Sequence, residues 1–231
     1  MLTTFVPDKY LSIDESTVYF KSRISFLAYN PKKPTKWGLH VYVLADFQTS
    51  YIYSFVPHYG KTSTDGLIKL ELSFISWIVL HLYNNLLMSI PEAAGYHIFT
   101  DWFYTNLILA KELFENKCFL TRTIMPNRKG LPQKIKKPKL PRRKTIGFCK
   151  GNTPTLAWCD TRVVTLLSTF YTSDSQTIQR RLAKAKRGNI GSRTPNKTIR
   201  AKVKKPIVIV NYNEYMGSVD VADQYTSSYA F

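Results

Sequence analysis

Residues 38–57 read GLHVYVLADFQTSYIYSFVP, and this stretch decides the fold class. Leu39, Val41 and Val43 alternate with His40, Tyr42 and Leu44, the period of two that a strand requires. After Gln48, Thr49 and Ser50 comes a second run rich in aromatic and β-branched residues, Tyr51 to Val56, so the two runs are expected to pair as an antiparallel hairpin. Downstream, the apolar stretch 70–89 has the length and mixed periodicity of a helix packed on a sheet, ended by Pro91. YHIFTD at 96–101 reads as a short buried strand ending in a carboxylate, TNLILAKELFEN at 105–116 as a helix capped by Thr105, and CFLTRTIM at 118–125 as a strand. That order indicates a mixed α/β fold. Residues 145–171 read as short strands around a GNTP turn, and an apolar strand or extended segment then leads into a closing helix from about Asn213.

Of the 231 residues 44% are apolar and 14% aromatic, enough to fill a core, which excludes wholesale disorder and collagen-like character. The net charge of +18 is unevenly spread. Residues 117–206 hold 24 of the 33 Lys and Arg and two acids, Asp160 and Asp174, a net of +22, whereas the remaining 141 residues sum to −4. Two runs dominate: one at 134–144 with Lys134, Lys136, Lys137, Arg142, Arg143 and Lys144, and one at 180–205 that opens with Arg180, Arg181, Lys184, Lys186 and Arg187. A charge run serves as a solvated linker or as a polyanion-binding arm, and even a disordered arm binds phosphates by releasing counterions. Nucleic acid is therefore the partner indicated first, ahead of an anionic membrane surface or a nuclear-import signal.

Cys118, Cys149 and Cys159 form no CxxC pair, which argues against a disulfide framework and against a zinc site. Buried thiols in a reducing compartment are expected, although Cys149 and Cys159 flank a predicted hairpin. His40, His58, His81 and His97 are scattered without ligand spacing. The run 72–90 is about a bilayer long but carries Ser73, Ser76, His81, Asn84 and Asn85, the composition of a buried helix rather than a membrane span. The N-terminus has no secretory pattern, and no GxGxxG or P-loop motif is present.

Asp46 and Asp101 each follow an apolar run directly. An aspartate there is a turn former or helix cap, or, if other carboxylates converge on it, a ligand to a hard cation such as Mg²⁺. The pattern leaves both readings open.

Four stretches, in order, carry a resemblance: LSIDESTVYFKSRISFLAYNPKKPTKWGLHVYVLAD at 11–46, YHIFTDWFYTNLILAKEL at 96–113, LAWCDTRVVTLLST at 156–169 and VNYNEYMGSVDVADQY at 210–225. Together they resemble the catalytic domain of piggyBac-type transposases. The resemblance implies an RNase H-like mixed sheet with flanking helices and a β-rich, basic insertion before the last catalytic helix. It also implies three catalytic aspartates, Asp46 on the first strand, Asp101 after the fourth and Asp220 on a late helix, holding two Mg²⁺ or Mn²⁺ ions for DNA strand cleavage and transfer. Asp223, one turn beyond Asp220, would support the site or stand exposed. Ser218 departs from the family's MGGVD, where a second glycine is usual. The expected organisation is a first part of the core at 1–125, the basic insertion at 126–206, and a return to the core at 207–231. The family's long N-terminal region and its C-terminal zinc domain are not in this chain, so no more than weak nicking, without excision, is expected of it. The competing reading is a non-catalytic relic that binds DNA or chromatin. DNA, a homodimeric partner, a nuclear location and no membrane complete the expectations.

Overall fold

The computed structural model describes residues 5–31, 33, 35–60, 72–104, 107–126, 128, 130–150, 153–181 and 200–228. One mixed sheet organises them. Its strands are β1 (Tyr10–Tyr19), β2 (Ala28–Tyr29), β3 (Trp37–Asp46), β4 (Ile52–Pro57), β5 (His97–Thr100), β6 (Phe119–Thr123), β7 (Thr145–Lys150), β8 (Thr153–Cys159) and β9 (Val163–Ser168). The order across the sheet is β2-β3-β1-β5-β6-β9-β8-β7, with β4 also paired to β3. The pairs β1–β5 and β5–β6 are parallel, and every other pair is antiparallel. A separate ribbon joins β10 (Ser175–Arg181) to β11 (Arg200–Pro206).

The hairpin expected at 38–57 is β3–β4, paired from Val41↔Pro57 to Ala45↔Ile52. Strand β1 is not among the elements expected from periodicity, although it lies near the centre of the sheet between β3 and β5. Leu11 and Ile13 alternate with Ser12 and Asp14, but the half-buried Glu15 side chain falls on the apolar phase and blurs the period. Gly38 is required where β1 passes β3, because a Cβ there would stand 2.2 Å from the Val18 carbonyl oxygen.

The two sheet faces bury different partners. Leu11, Ile13, Leu44, Ile98 and Leu120 pack against Ile78, Leu82, Tyr83 and Leu86 of α1 (Phe74–Ser89) and Leu109 and Leu113 of α2 (Leu107–Glu115). The Ser73 hydroxyl caps α1 by accepting from the Ser76 amide at 3.4 Å. Residues 70 and 71 at the expected start of that helix, and Thr105, the expected cap of α2, lie outside the described residues. No described helix is long and apolar enough to cross a membrane.

A short helix, α3 (Gln133–Lys136), precedes β7. On the face opposite α1 lie α4 (Ile207–Tyr215) and α5 (Ser218–Ser228). Val219 of α5 packs on Val41, Val43 and Ala45, while Val208 and Ile209 of α4 pack on Leu156, Trp158 and Leu166. The stretch IVIV at 207–210 is expected from its composition to be extended; it is helical from Ile207, after Pro206 at the N-cap, because packing of Val208 and Ile209 on the sheet outweighs the β propensity of its branched side chains. Strands β7 to β9 continue the main sheet through β9–β6 pairing, so within the basic region only the β10–β11 ribbon stands apart from it among the described strands. The β7–β8 register places Cys149 beside the turn and Cys159 at the far end, and Cys149 is exposed rather than buried.

Two histidines are held neutral. Burial pushes His97 down to about 3, and burial with repulsion from His58 and Lys33 pushes His40 down to about 4. His97 stacks on Phe99 and meets the Thr121 hydroxyl at 2.8 Å. Because the folded pKa lies below the unfolded value near 6.5, its stabilisation is complete above pH 6.5 and is lost as the pH falls toward 3. Thermal melts between pH 7 and 5 are expected to show a shallower loss for His97→Gln than for the wild type, by roughly 1 kcal/mol per pH unit; parallel curves would contradict this.

Candidate functional site

The parallel register of β1 and β5 runs from Tyr10↔His97 to Ile13↔Thr100. The next step along both chains is Asp14 beside Asp101. Residues in register on neighbouring strands share a face. Leu11 and Ile13 point into the α1 core, so Ser12, Asp14 and Ser16 point to the face that α5 covers.

Helix α5 brings two more carboxylates to that face. Asp220 lies in its first turn and Asp223 one turn later. The Ser16 hydroxyl donates to Asp223 Oδ1 at 2.5 Å. Lys33, from the loop between β2 and β3, donates to Asp223 Oδ2 at 3.3 Å and to the Glu15 carbonyl at 2.9 Å, with its Nζ 3.7 Å from Asp220 Oδ1. Four aspartates from β1, the end of β5, and α5 thus share one region.

Their proton affinities record the crowding. Burial, and then repulsion from Asp14, raise Asp101 to about 6. Asp14 is also raised, by burial first, with Asp220 adding repulsion and Lys33 opposing it. Glu15, behind the site, is pushed up to about 8 by burial and then by Asp14 and Asp101. Burial alone would lower Lys33, but attraction from Asp223, Asp220 and Asp14 raises it overall.

Asp46 is elsewhere. It pairs with Leu11, three residues before Asp14, and so projects from the opposite face of the sheet. Its side chain is 1% exposed and fully engaged: Oδ1 accepts from the Asp8 amide at 2.8 Å, and Oδ2 accepts from the Thr49 amide at 2.8 Å and the Thr49 hydroxyl at 2.6 Å. The expectation that Asp46 joins Asp101 and Asp220 is corrected by this geometry: Asp46 closes the β3–β4 turn, and Asp14 stands beside Asp101. The signal for Asp14 is its place in LSIDES at 11–16, on the polar phase of an apolar alternation.

Asp14, Asp101 and Asp220 offer hard carboxylate oxygens of the kind that suits Mg²⁺ or Mn²⁺. As placed, no three His, Cys, Asp or Glu side chains among the described residues gather closely enough to hold a metal ion. Asp220 is 68% exposed, so a shift of its side chain toward Asp14 is what a metal site requires. His40 and His58 do meet, with ring centroids 5.9 Å apart, but they pack among Tyr42 and Phe74.

The basic residues lie on other elements. Lys134 and Lys136 are on α3, and Lys137 follows it. Arg142, Arg143 and Lys144 are exposed before β7. Arg180 is ion-paired with Asp160. Lys202 and Lys204 project from β11 on the side opposite the buried Val203, and Lys205 lies 5.7 Å over the Trp158 ring. Arg181 ends β10, while Lys184, Lys186 and Arg187 lie outside the described residues.

Asp101 costs the metal-free protein stability. Its folded pKa lies above the unfolded value of 3.8, so stability falls as the pH rises from 3.8 through about 6. Asp101→Asn, which keeps an acceptor for the Phe103 amide, is expected to raise Tm by about 2 to 4 °C at pH 7.5 without divalent ions and to bring no gain below pH 4. Calorimetry showing a lowered Tm at pH 7.5 would contradict this.

Comparison with known proteins agrees with this architecture. A family model described as Transposase IS4 matches residues 1–231, the whole chain. A piggyBac transposase, solved by cryo-EM as a synaptic complex with hairpin DNA, is similar in structure with a TM-score of 0.69 and 22% identity. The similarity covers 96% of this chain and 41% of that one, so the chain spans less than half of that transposase. At this identity the likeness is one of fold, and it bears out the expected mixed α/β sheet with flanking helices.

Proposed function

The chain belongs to the Transposase IS4 family, and we propose that it is the metal-dependent DNA-cutting core of a piggyBac-like transposase, with Asp14, Asp101 and Asp220 as the ion-binding carboxylates. The observation that carries this reading is the β1–β5 register, which sets Asp14 beside Asp101 on the face that α5 covers. Bound Mg²⁺ or Mn²⁺ would supply the Lewis acidity that activates an attacking water or 3′-hydroxyl and neutralises the leaving oxygen of a phosphodiester. The chain's own contribution is placement. Asp14 and Asp101 are fixed by the sheet, and Asp220 is brought over them by the docking of Val219 and by the Ser16–Asp223–Lys33 contacts. The exposed lysines and arginines of residues 134–144 and of the β10–β11 ribbon hold the DNA backbone by charge, with little sequence preference. A nuclear location and a homodimer belong to the same proposal.

The experiment is Mn²⁺-dependent nicking of supercoiled DNA by the purified chain. Asp14→Asn, Asp101→Asn and Asp220→Asn are expected to reduce nicking at least about 100-fold, while Asp46→Asn stays within a few-fold of wild type. Loss of nicking in Asp46→Asn comparable to that in Asp14→Asn would overturn the assignment.

For DNA binding, about six neutralised phosphates give a slope of about −5 for log K against log salt concentration. Replacing Lys134, Lys137, Arg142, Arg143 and Lys144 by Gln is expected to flatten that slope by about 0.9 for each phosphate that is no longer neutralised, read by fluorescence anisotropy. Salt-independent binding would contradict it.

A non-catalytic DNA-binding protein is the second reading. It is favoured by the absence, among the described residues, of three ligands gathered around one point. DNA binding without any divalent-dependent cleavage in the nicking assay would decide for it.

A further inference from the structure

Among the described residues, Lys33 is the lysine whose ammonium is set among the carboxylates of the site. Its loop is closed at the base by the Asn30 amide donating to the Lys36 carbonyl at 2.8 Å, with the Tyr29 and Trp37 rings 4.5 Å apart beside it. The side chain is 23% exposed. An ammonium has three N–H donors, and three acceptors surround this one: the Glu15 carbonyl on β1, Asp223 Oδ2 and Asp220 Oδ1 on α5. A cation therefore already bridges β1 to α5, within electrostatic reach of Asp14.

We propose that Lys33 is a positioning residue that acts as the resident cation of the metal-free site: it docks the Asp220–Asp223 turn of α5 onto β1 and releases Asp220 when a divalent ion binds. This rests on the reading of Asp14, Asp101 and Asp220 as ion ligands. The interactions are divided in the way such an exchange requires. Asp223 is held at both oxygens, by Ser16 at 2.5 Å and by Lys33 at 3.3 Å, so it anchors the helix. Asp220 is held by the longest of the three Lys33 interactions, 3.7 Å, and is 68% exposed, so it is the carboxylate able to turn. Without the ammonium, the like charges of Asp14, Asp220 and Asp223 would push α5 away from the sheet. A divalent ion would supply the missing positive charge.

The test is amide hydrogen exchange of residues 218–228 in the full chain, with and without Mn²⁺, for wild type, Lys33→Met and Lys33→Arg. Without Mn²⁺, Lys33→Met is expected to exchange about tenfold faster across α5, and Lys33→Arg, which keeps the charge, to stay within about threefold of wild type. Saturating Mn²⁺ is expected to restore protection in Lys33→Met. Unchanged exchange in metal-free Lys33→Met would overturn the proposal, as would a tenfold excess that persists in Mn²⁺, which marks a structural tether and nothing more. If Lys33→Met does not fold, Asp223→Asn, which removes the nearer carboxylate of the pair, is expected to show the same Mn²⁺-reversible loss, and its failure to do so counts equally against the proposal. Calorimetric titration of the wild type with Mn²⁺ separates the two levels. No binding at all defeats the proposed function, whereas binding with a persistent exchange defect in Lys33→Met defeats only the role of Lys33.

Discussion

The parallel pairing of β1 with β5 is the constraint on which the rest depends. It sets Asp14 and Asp101 side by side, an arrangement that electrostatics opposes and that desolvation makes worse. The pairing holds because the same two strands put Leu11, Ile13 and Ile98 into the core beneath α1, where each is fully buried. Each such side chain contributes about 1.5 to 3 kcal/mol, an upper estimate that still exceeds what two crowded carboxylates cost at a partly open surface. On its other side β1 is secured to β3 along nine residue pairs, from Leu11↔Asp46 to Tyr19↔Gly38. The carboxylates cannot separate without breaking the β1–β5 pairing, and β1 itself is held in place by its ladder to β3.

Helix α5 meets this rigid edge in a different manner. Val219 fixes it to Val41, Val43 and Ala45 through apolar contact, while its polar side depends on Ser16 and Lys33. The site is therefore part fixed and part adjustable: two carboxylates ride on strands and one on an exposed helical turn. The basic residues lie on other elements: residues 117–206 carry a net charge of +22, and among the described residues their lysines and arginines fall largely on α3, the approach to β7 and the β10–β11 ribbon. In the proposed function the carboxylates call for cations and the basic elements attract phosphates.

Much of this is legible in the sequence, and the exceptions have physical causes. The β3–β4 hairpin, α1, β5, α2 and β6 follow from alternation, from the length of the apolar runs and from the breakers that flank them. Strand β1 is obscured because its two faces serve different ends: one is apolar, the other polar around the site, and the half-buried Glu15 sits on the apolar side opposite Tyr42 against its own polarity. The same ambiguity hides the choice between Asp14 and Asp46. Both aspartates border apolar runs within one 36-residue stretch, and what separates them is side-chain parity in the β1–β3 ladder, which requires the register Leu11↔Asp46. The helix at 207–215 is disguised because four branched apolar residues in a row look extended until the sheet beneath Val208 and Ile209 is known. Asp101 is marked by its place directly after an apolar run, whereas Asp220, in the first turn of α5, is marked only by the resemblance of the stretch 210–225. Lys33 has no signal of its own, since its partners are 18, 187 and 190 residues away.

The central claim is that Asp14, rather than Asp46, stands with Asp101 at the ion-binding centre. A crystal of the protein soaked in Mn²⁺ and measured for anomalous scattering tests it most directly. An anomalous peak is expected within about 2.0 to 2.3 Å of carboxylate oxygens of both Asp14 and Asp101, with Asp220 turned toward it. A peak coordinated by Asp46, or a fully loaded crystal with no ion between Asp14 and Asp101, would contradict it.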